Sequence, residues 1–257
     1  MTDVPSRTIP AHQWLPHQHG AWAMLAVPLL MGMAVGQLSP WHVLLASTAV
    51  TGYLASATVQ AWRRARKRAP LVLPMRVYLV ALAVQGAVLA VVFPLLVASI
   101  VVLAPAGLVV AAEAKPGTRR DLANSLMQVV QALVLVPAAA LVGGVTDPAR
   151  LAVATAIAAV YLFGTVLVVR SVLRERGNTR FAAGSAGFHA IGTVVAALVL
   201  PVVWALLGAG LTLRAVLLPI VVARRARAGR PLRPVHVGMV EAVASVAVVL
   251  VSFLAMP

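Results

Sequence analysis

Apolar stretches of about twenty residues follow one another along the whole chain, broken by short polar or glycine- and proline-containing gaps. A helix needs roughly 20 apolar residues to cross a bilayer, with about 17 to 25 tolerated. On that measure the pattern predicts spans at 20–36, 41–62, 76–93, 95–113, 122–142, 149–170, 187–206, 211–226 and 235–256. Only Phe93-Pro94 separates the third from the fourth, but Arg76 to Glu113 as one helix would be far too long for a bilayer. Arg214 and Pro219 lie inside the short eighth span, which is therefore expected to tilt or kink. The expected fold class is an all-α polytopic membrane protein of about nine transmembrane helices. A polar N-terminal segment, 1–18, precedes a single transmembrane helical domain, 19–257. With three prolines and no basic n-region, 1–18 does not read as a cleavable signal peptide.

Charge gives the pattern a direction. Nineteen of the twenty-one Lys and Arg residues fall at every second gap: Arg7, Arg63 to Arg76, Lys115 to Arg120, Arg170 to Arg180, and Arg224 to Arg233. The exceptions are Arg150 and Arg214. The alternate gaps, near Gln37 to Pro40, Phe93-Pro94, Gly143 to Pro148 and Gly208 to Gly210, are almost uncharged. Cationic loops stay on the cytoplasmic side during insertion, so the N-terminus is expected inside and the C-terminus outside. With 61% hydrophobic and 11% charged residues and a mean hydropathy of +0.97, the chain has too little polar surface for a soluble domain. The +15 charge sits at apolar helix ends without the aromatic interleaving of a single-strand binder. It excludes nucleic acid as the expected partner and favours membrane lipids, through their anionic phospholipid headgroups. The chain has no cysteine, which removes disulfides and thiolate chemistry.

Polar groups inside the spans carry the candidate chemistry, because each costs free energy in hydrocarbon unless a partner or a cavity satisfies it. Asn124, Gln128 and Gln131 recur at i, i+4 and i+7 and share a helix face; they either line a cavity or join helices by hydrogen bonds. Gln60 and Gln85 allow the same two readings. Asp121 and Asp147 stand where helix caps stand, Asp147 directly before Pro148. Glu241, about two turns inside the ninth span, needs a cation, a donor or a proton, and an arginine from a neighbouring loop is the simplest partner. His17, His19, His189 and His236 all fall near the inner face, His189 opening the seventh span. Their spacing matches no metal motif, so no metal site is expected.

The stretch His17-Gln-His-Gly-Ala-Trp-Ala-Met24, followed by Pro28, resembles the YwiC-like family of bacterial membrane proteins. So do Leu173-Arg-Glu-Arg-Gly-Asn178 with Phe181 and Phe188-His189, and Arg233-Pro-Val-His-Val-Gly238 with Glu241. The resemblance implies a multi-pass protein of the bacterial cytoplasmic (inner) membrane and supplies no reaction. In its charge rhythm and in the loop Glu113-Ala-Lys-Pro-Gly-Thr118 the chain also distantly resembles the UbiA superfamily of intramembrane prenyltransferases, implying a UbiA-like bundle. Those enzymes hold Mg²⁺ and an isoprenyl diphosphate on Asp-rich loops. The matching regions here, Gln60 to Arg68 and Arg170 to Asn178, carry no carboxylate and one. The usual Mg²⁺-diphosphate site is therefore not expected, and the cofactor is open.

These readings converge on a cytoplasmic-side cavity for an amphipathic ligand with an anionic or quinone/isoprenoid-like head. The candidate ligand-binding residues are His19, Lys115, Asn124, Gln128, Arg170, Arg174 and Asn178, with Glu241 and His189 as candidate acid/base groups. Arg170 and Arg174 share a helix face and could grip an anion bidentately. Whether the protein is an enzyme is open. The alternatives are a transporter of a small anion or metabolite and a non-enzymatic membrane assembly protein.

Overall fold

The computed structural model describes residue 14 and residues 19–65, 69–98 and 122–256. The helices are α1 (His19–Val35), α2 (Trp41–Arg64), α3 (Ala69–Val92), α4 (Leu122–Leu133), α5 (Leu135–Val142), α6 (Pro148–Leu173), α7 (Thr179–Val199), α8 (Val202–Arg227) and α9 (Pro234–Ala255). No strand occurs among the described residues. Among the described residues, seven helical segments are long and apolar enough to cross a membrane, α4 and α5 counting together as Ser125–Val142, and Trp22–Val35 is a shorter apolar one. Their outer faces are apolar: Val91, Leu198 and Leu254 are 81%, 78% and 80% exposed. Such surface is stable against lipid tails and would not be against water.

Helix ends follow local chemistry. Asp147 accepts a hydrogen bond from the Ala149 amide at 3.0 Å, capping α6 with Pro148 at its first turn. Pro137 cannot donate to the Leu133 carbonyl, and the expected single span 122–142 breaks at Val134 into α4 and α5. Two other boundaries differ from expectation. The seventh span runs from Thr179 to Val199 instead of 187–206, and the turn into α8 is Leu200-Pro201, not Gly208 to Gly210. Gly208 lies inside α8, where a Cβ would stand 2.8 Å from Thr193 Oγ1. Small residues in membrane helices often mark close approach, and here glycine seats α8 against α7. The third helix begins at Ala69, so Arg76 sits within α3 and not before it. Of the expected fourth span, 95–113, only the part up to residue 98 lies among the described residues.

The core joins α1, α4, α5, α6 and α9 through Met31, Val129, Val136, Ala158 and Val248, each fully buried. α1 crosses α5 closely at Gly32. Uncharged turns are tied together: the Gln37 amide donates to the Gly143 carbonyl at 2.9 Å, and Trp41 meets Phe93 edge to face. Buried His42 fixes the same end, its Nε2 2.9 Å from the Ala139 carbonyl. A second cluster, with Val168, Val172, Leu218 and Val237, holds α6, α8 and α9 together toward the basic turns.

Candidate functional site

Four helices bring polar side chains to one buried cluster. α6 supplies Tyr161 and Thr165, α7 Ser185, His189 and Thr193, α8 Thr212 and Arg214, and α9 Glu241 and Ser245. Ser185, His189 and Thr193 are successive i, i+4 positions, as are Glu241 and Ser245, so each set shares one face of its helix. Arg214 Nη1 donates to Glu241 Oε2 at 2.8 Å, with side chains only 8% and 12% exposed. Arg214 Nη2 stands 3.4 Å from His189 Nε2. His189 Nδ1 lies 2.8 Å from the Ser185 carbonyl, an acceptor, so Nδ1 carries the ring hydrogen and Nε2 turns its lone pair to the guanidinium. Tyr161 Oη and Ser245 Oγ are 2.8 Å apart, and Ser245 Oγ also donates to the Glu241 carbonyl at 2.9 Å. The buried hydroxyl of Thr165 borders both Tyr161 and Glu241. Gly164 makes room for this cluster, since a Cβ there would stand 2.7 Å from His189 Nε2.

The cluster lies deep. Arg214 is at the middle of the 26-residue α8, Tyr161 near the middle of the 26-residue α6, and His189 at the centre of the 21-residue α7. At about 1.5 Å per residue, His189 is roughly 15 Å along the helix from the Arg170–Arg180 turn. Arg214 also forms part of the wall of an apolar groove of about 300 Å³ with Gly210, Leu213, Leu217, Val221 and Val240. Leu213, Leu217, Val221 and Val240 are themselves exposed on the lipid-facing surface, so the groove opens sideways. Arg214 thus lines the groove while its guanidinium reaches inward to Glu241 and His189.

The residues singled out in the sequence separate into two groups. Glu241 and His189 enter the cluster, yet Glu241's partner is Arg214 within a helix, not an arginine of a neighbouring loop. Arg170, Arg174 and Asn178 stay at the α6–α7 turn, and α7's early start is what parts them from His189. Arg170 pairs with Glu175 at 3.3 Å, and Arg174 is exposed at the end of α6. Asn178 is a cap: its Oδ1 accepts from the Phe181 amide at 3.1 Å and its Nδ2 donates to Glu175 at 3.2 Å. Asn178→Ala is expected to cost about 0.5–2 kcal/mol of stability and to leave ligand retention unchanged, which melting and mass measurements on one sample would show. Gln128 and Gln131 lie on an exposed face of α4. His19 opens α1 and Asn124 lies in α4, and Lys115 falls outside the described residues. Sequence reading missed Arg214's role, although Arg214 was one of two cations out of step with the charge rhythm. Thr165, Ser185 and Ser245 gave only the weak signal of small polar residues in apolar spans. Among the described residues no three His, Asp or Glu side chains gather as a metal site would need.

An all-helical bundle with lipid-facing apolar sides and a buried ion pair defines an integral, multi-pass membrane protein. The YwiC-like protein family model matches residues 15–140, just under half of the chain, a range that includes the His17–Met24 stretch on which the resemblance was noted. No curated protein and no solved structure matches it.

Proposed function

We propose that this protein binds an amphipathic ligand with an acidic or quinone-like head, its tail in the α8–α9 groove and its head at Arg214. The observation that carries the reading is a nearly buried arginine, midway along its helix, at the wall of an apolar groove open to lipid. A charge at that depth is costly and tends to mark a functional site. A ligand head at Arg214 would also come beside Glu241 and His189, the candidate acid/base pair. Native mass spectrometry of protein purified in mild detergent is expected to detect one retained acidic or quinone-headed lipid. The charge-free variant Arg214→Met/Glu241→Gln should lose it, whereas equal retention by both proteins would remove the reading. A carrier for a small anion is the second reading, favoured by the mid-helix depth of the cluster.

In the proposed setting, the bacterial cytoplasmic membrane, the basic turns face the cytoplasm and the C-terminus faces outward. The exposed arginines Arg224, Arg225, Arg227, Arg230 and Arg233 then meet anionic phospholipid headgroups. Reporter fusions at Gly144 should read external and those at Gly177 and Gly229 cytoplasmic. An external signal at Gly177 would reverse the assignment.

A further inference from the structure

The Arg214–Glu241 pair is only half made. Glu241 Oε2 takes a hydrogen bond from Nη1, whereas Arg214 Nε is buried with no hydrogen-bond partner and Glu241 Oε1 makes no well-formed one, with only the Thr165 hydroxyl nearby. A guanidinium presents five donors in a fixed fork and a carboxylate accepts on two oxygens, so a saturated pair would leave neither atom idle. Buried polar atoms without partners are rare enough in folded proteins to call for an explanation. Because Arg214 also lines the groove, an acidic head arriving there would compete for a guanidinium already neutralised by one carboxylate.

Two anions against one guanidinium in a poorly solvated site leave one negative charge uncompensated, an arrangement that burial penalises heavily. One of the anions must be neutralised, and the surroundings indicate which group takes the proton. The groups facing Glu241 are Arg214 from α8, Tyr161 and Thr165 from α6, and, across the guanidinium, His189 from α7. α1, which also packs on α9, brings no titratable side chain over Trp22–Val35. A proton on His189 Nε2 would set one N–H against another, because that nitrogen faces Arg214 Nη2 and the opposite ring nitrogen is already committed to the Ser185 carbonyl. Tyr161 is a neutral phenol with its hydroxyl engaged by Ser245.

Building on the ligand reading above, we infer that an acidic amphiphile binds at Arg214 by exchange, displacing the Glu241 carboxylate as Glu241 takes up one proton from water. The Arg214–Glu241 ion pair breaks, an Arg214–ligand ion pair forms, and the cluster's net charge is unchanged. The ligand class is a long-chain monoanion, and the site binds it together with a proton.

The test uses the full chain in mild detergent and dodecanesulfonate, whose head carries no titrating proton near neutrality, so any proton taken up is the protein's. Micelle partitioning is subtracted with the Arg214→Met/Glu241→Gln protein. Uptake followed with an indicator dye in weak buffer should be about one proton per bound sulfonate, and affinity should rise about tenfold for each unit of pH lowered. In Glu241→Gln, binding should persist without uptake and without that pH slope, whereas His189→Asn should keep both. Wild-type binding with no proton uptake overturns the exchange and leaves the groove reading standing, and the wild-type protein alone decides this even if a variant does not fold. Uptake that survives Glu241→Gln and disappears in His189→Asn overturns the assignment to Glu241. No specific sulfonate binding by the wild type removes the groove reading and the exchange together.

Discussion

Replacing Glu241 with glutamine is expected to lower the unfolding free energy by about 3–5 kcal/mol, the cost of leaving one member of a buried ion pair without its partner. Glutamine keeps the size and one hydrogen-bonding oxygen, so the loss reports charge and not packing. Arg214 stays nearly buried between α7 and α9, with His189 Nε2 as its other close polar neighbour at 3.4 Å. Removing both charges in Arg214→Met/Glu241→Gln should recover part of the loss, because no uncompensated charge is then left buried. Detergent-solubilised melting of the two singles and the double completes the cycle. Wild-type stability of Glu241→Gln would mean that the pair does not hold these helices.

A second large effect is expected far from the charges. A Cβ on Gly32 would fall on the Val136 carbonyl oxygen and stand 2.8 Å from Ala139 Cβ, where α1 crosses α5 backbone against backbone. Neither neighbour can yield easily: Val136 and Ala139 are fully buried, and the Ala139 carbonyl is engaged by His42 and by the Gly143 amide. Gly32→Ala should therefore cost about 1–3 kcal/mol through overpacking, and Gly32→Val more. Gly86, with open space where a Cβ would go, supplies the control, and Gly86→Ala should stay within about 0.5 kcal/mol of wild type. Equal melting of the two alanine variants would contradict the close crossing.

Much of the helix pattern could be read in the sequence where apolar runs end at proline or charge. The expected 41–62 and 235–256 compare with Trp41–Arg64 and Pro234–Ala255 in the structure. The reading failed where composition and conformation part company. Thr179 to Gly187 looks like a loop because it is small and polar, yet Asn178 caps it and it forms the first turns of α7. Gly208 and Gly210 look like a turn, yet both lie inside α8, and Gly208 lets that helix approach Thr193. That error placed His189 at a helix start near Arg170 and Arg174 when it stands at the centre of α7. Glu241 stood out because a carboxylate deep in an apolar span needs a partner. Which arginine answers it depends on how α8 packs on α9, and spacing along the chain carries no information about that.

Under the proposed function, Arg214 holds an acidic ligand head beside the α8–α9 groove. Cryo-electron microscopy of the protein in lipid nanodiscs, without added ligand, tests this most directly. Elongated density is expected in the groove, ending in a head group within hydrogen-bond distance of the Arg214 guanidinium. A groove filled only by acyl chains, with both Glu241 oxygens closed on the Arg214 guanidinium, would contradict it.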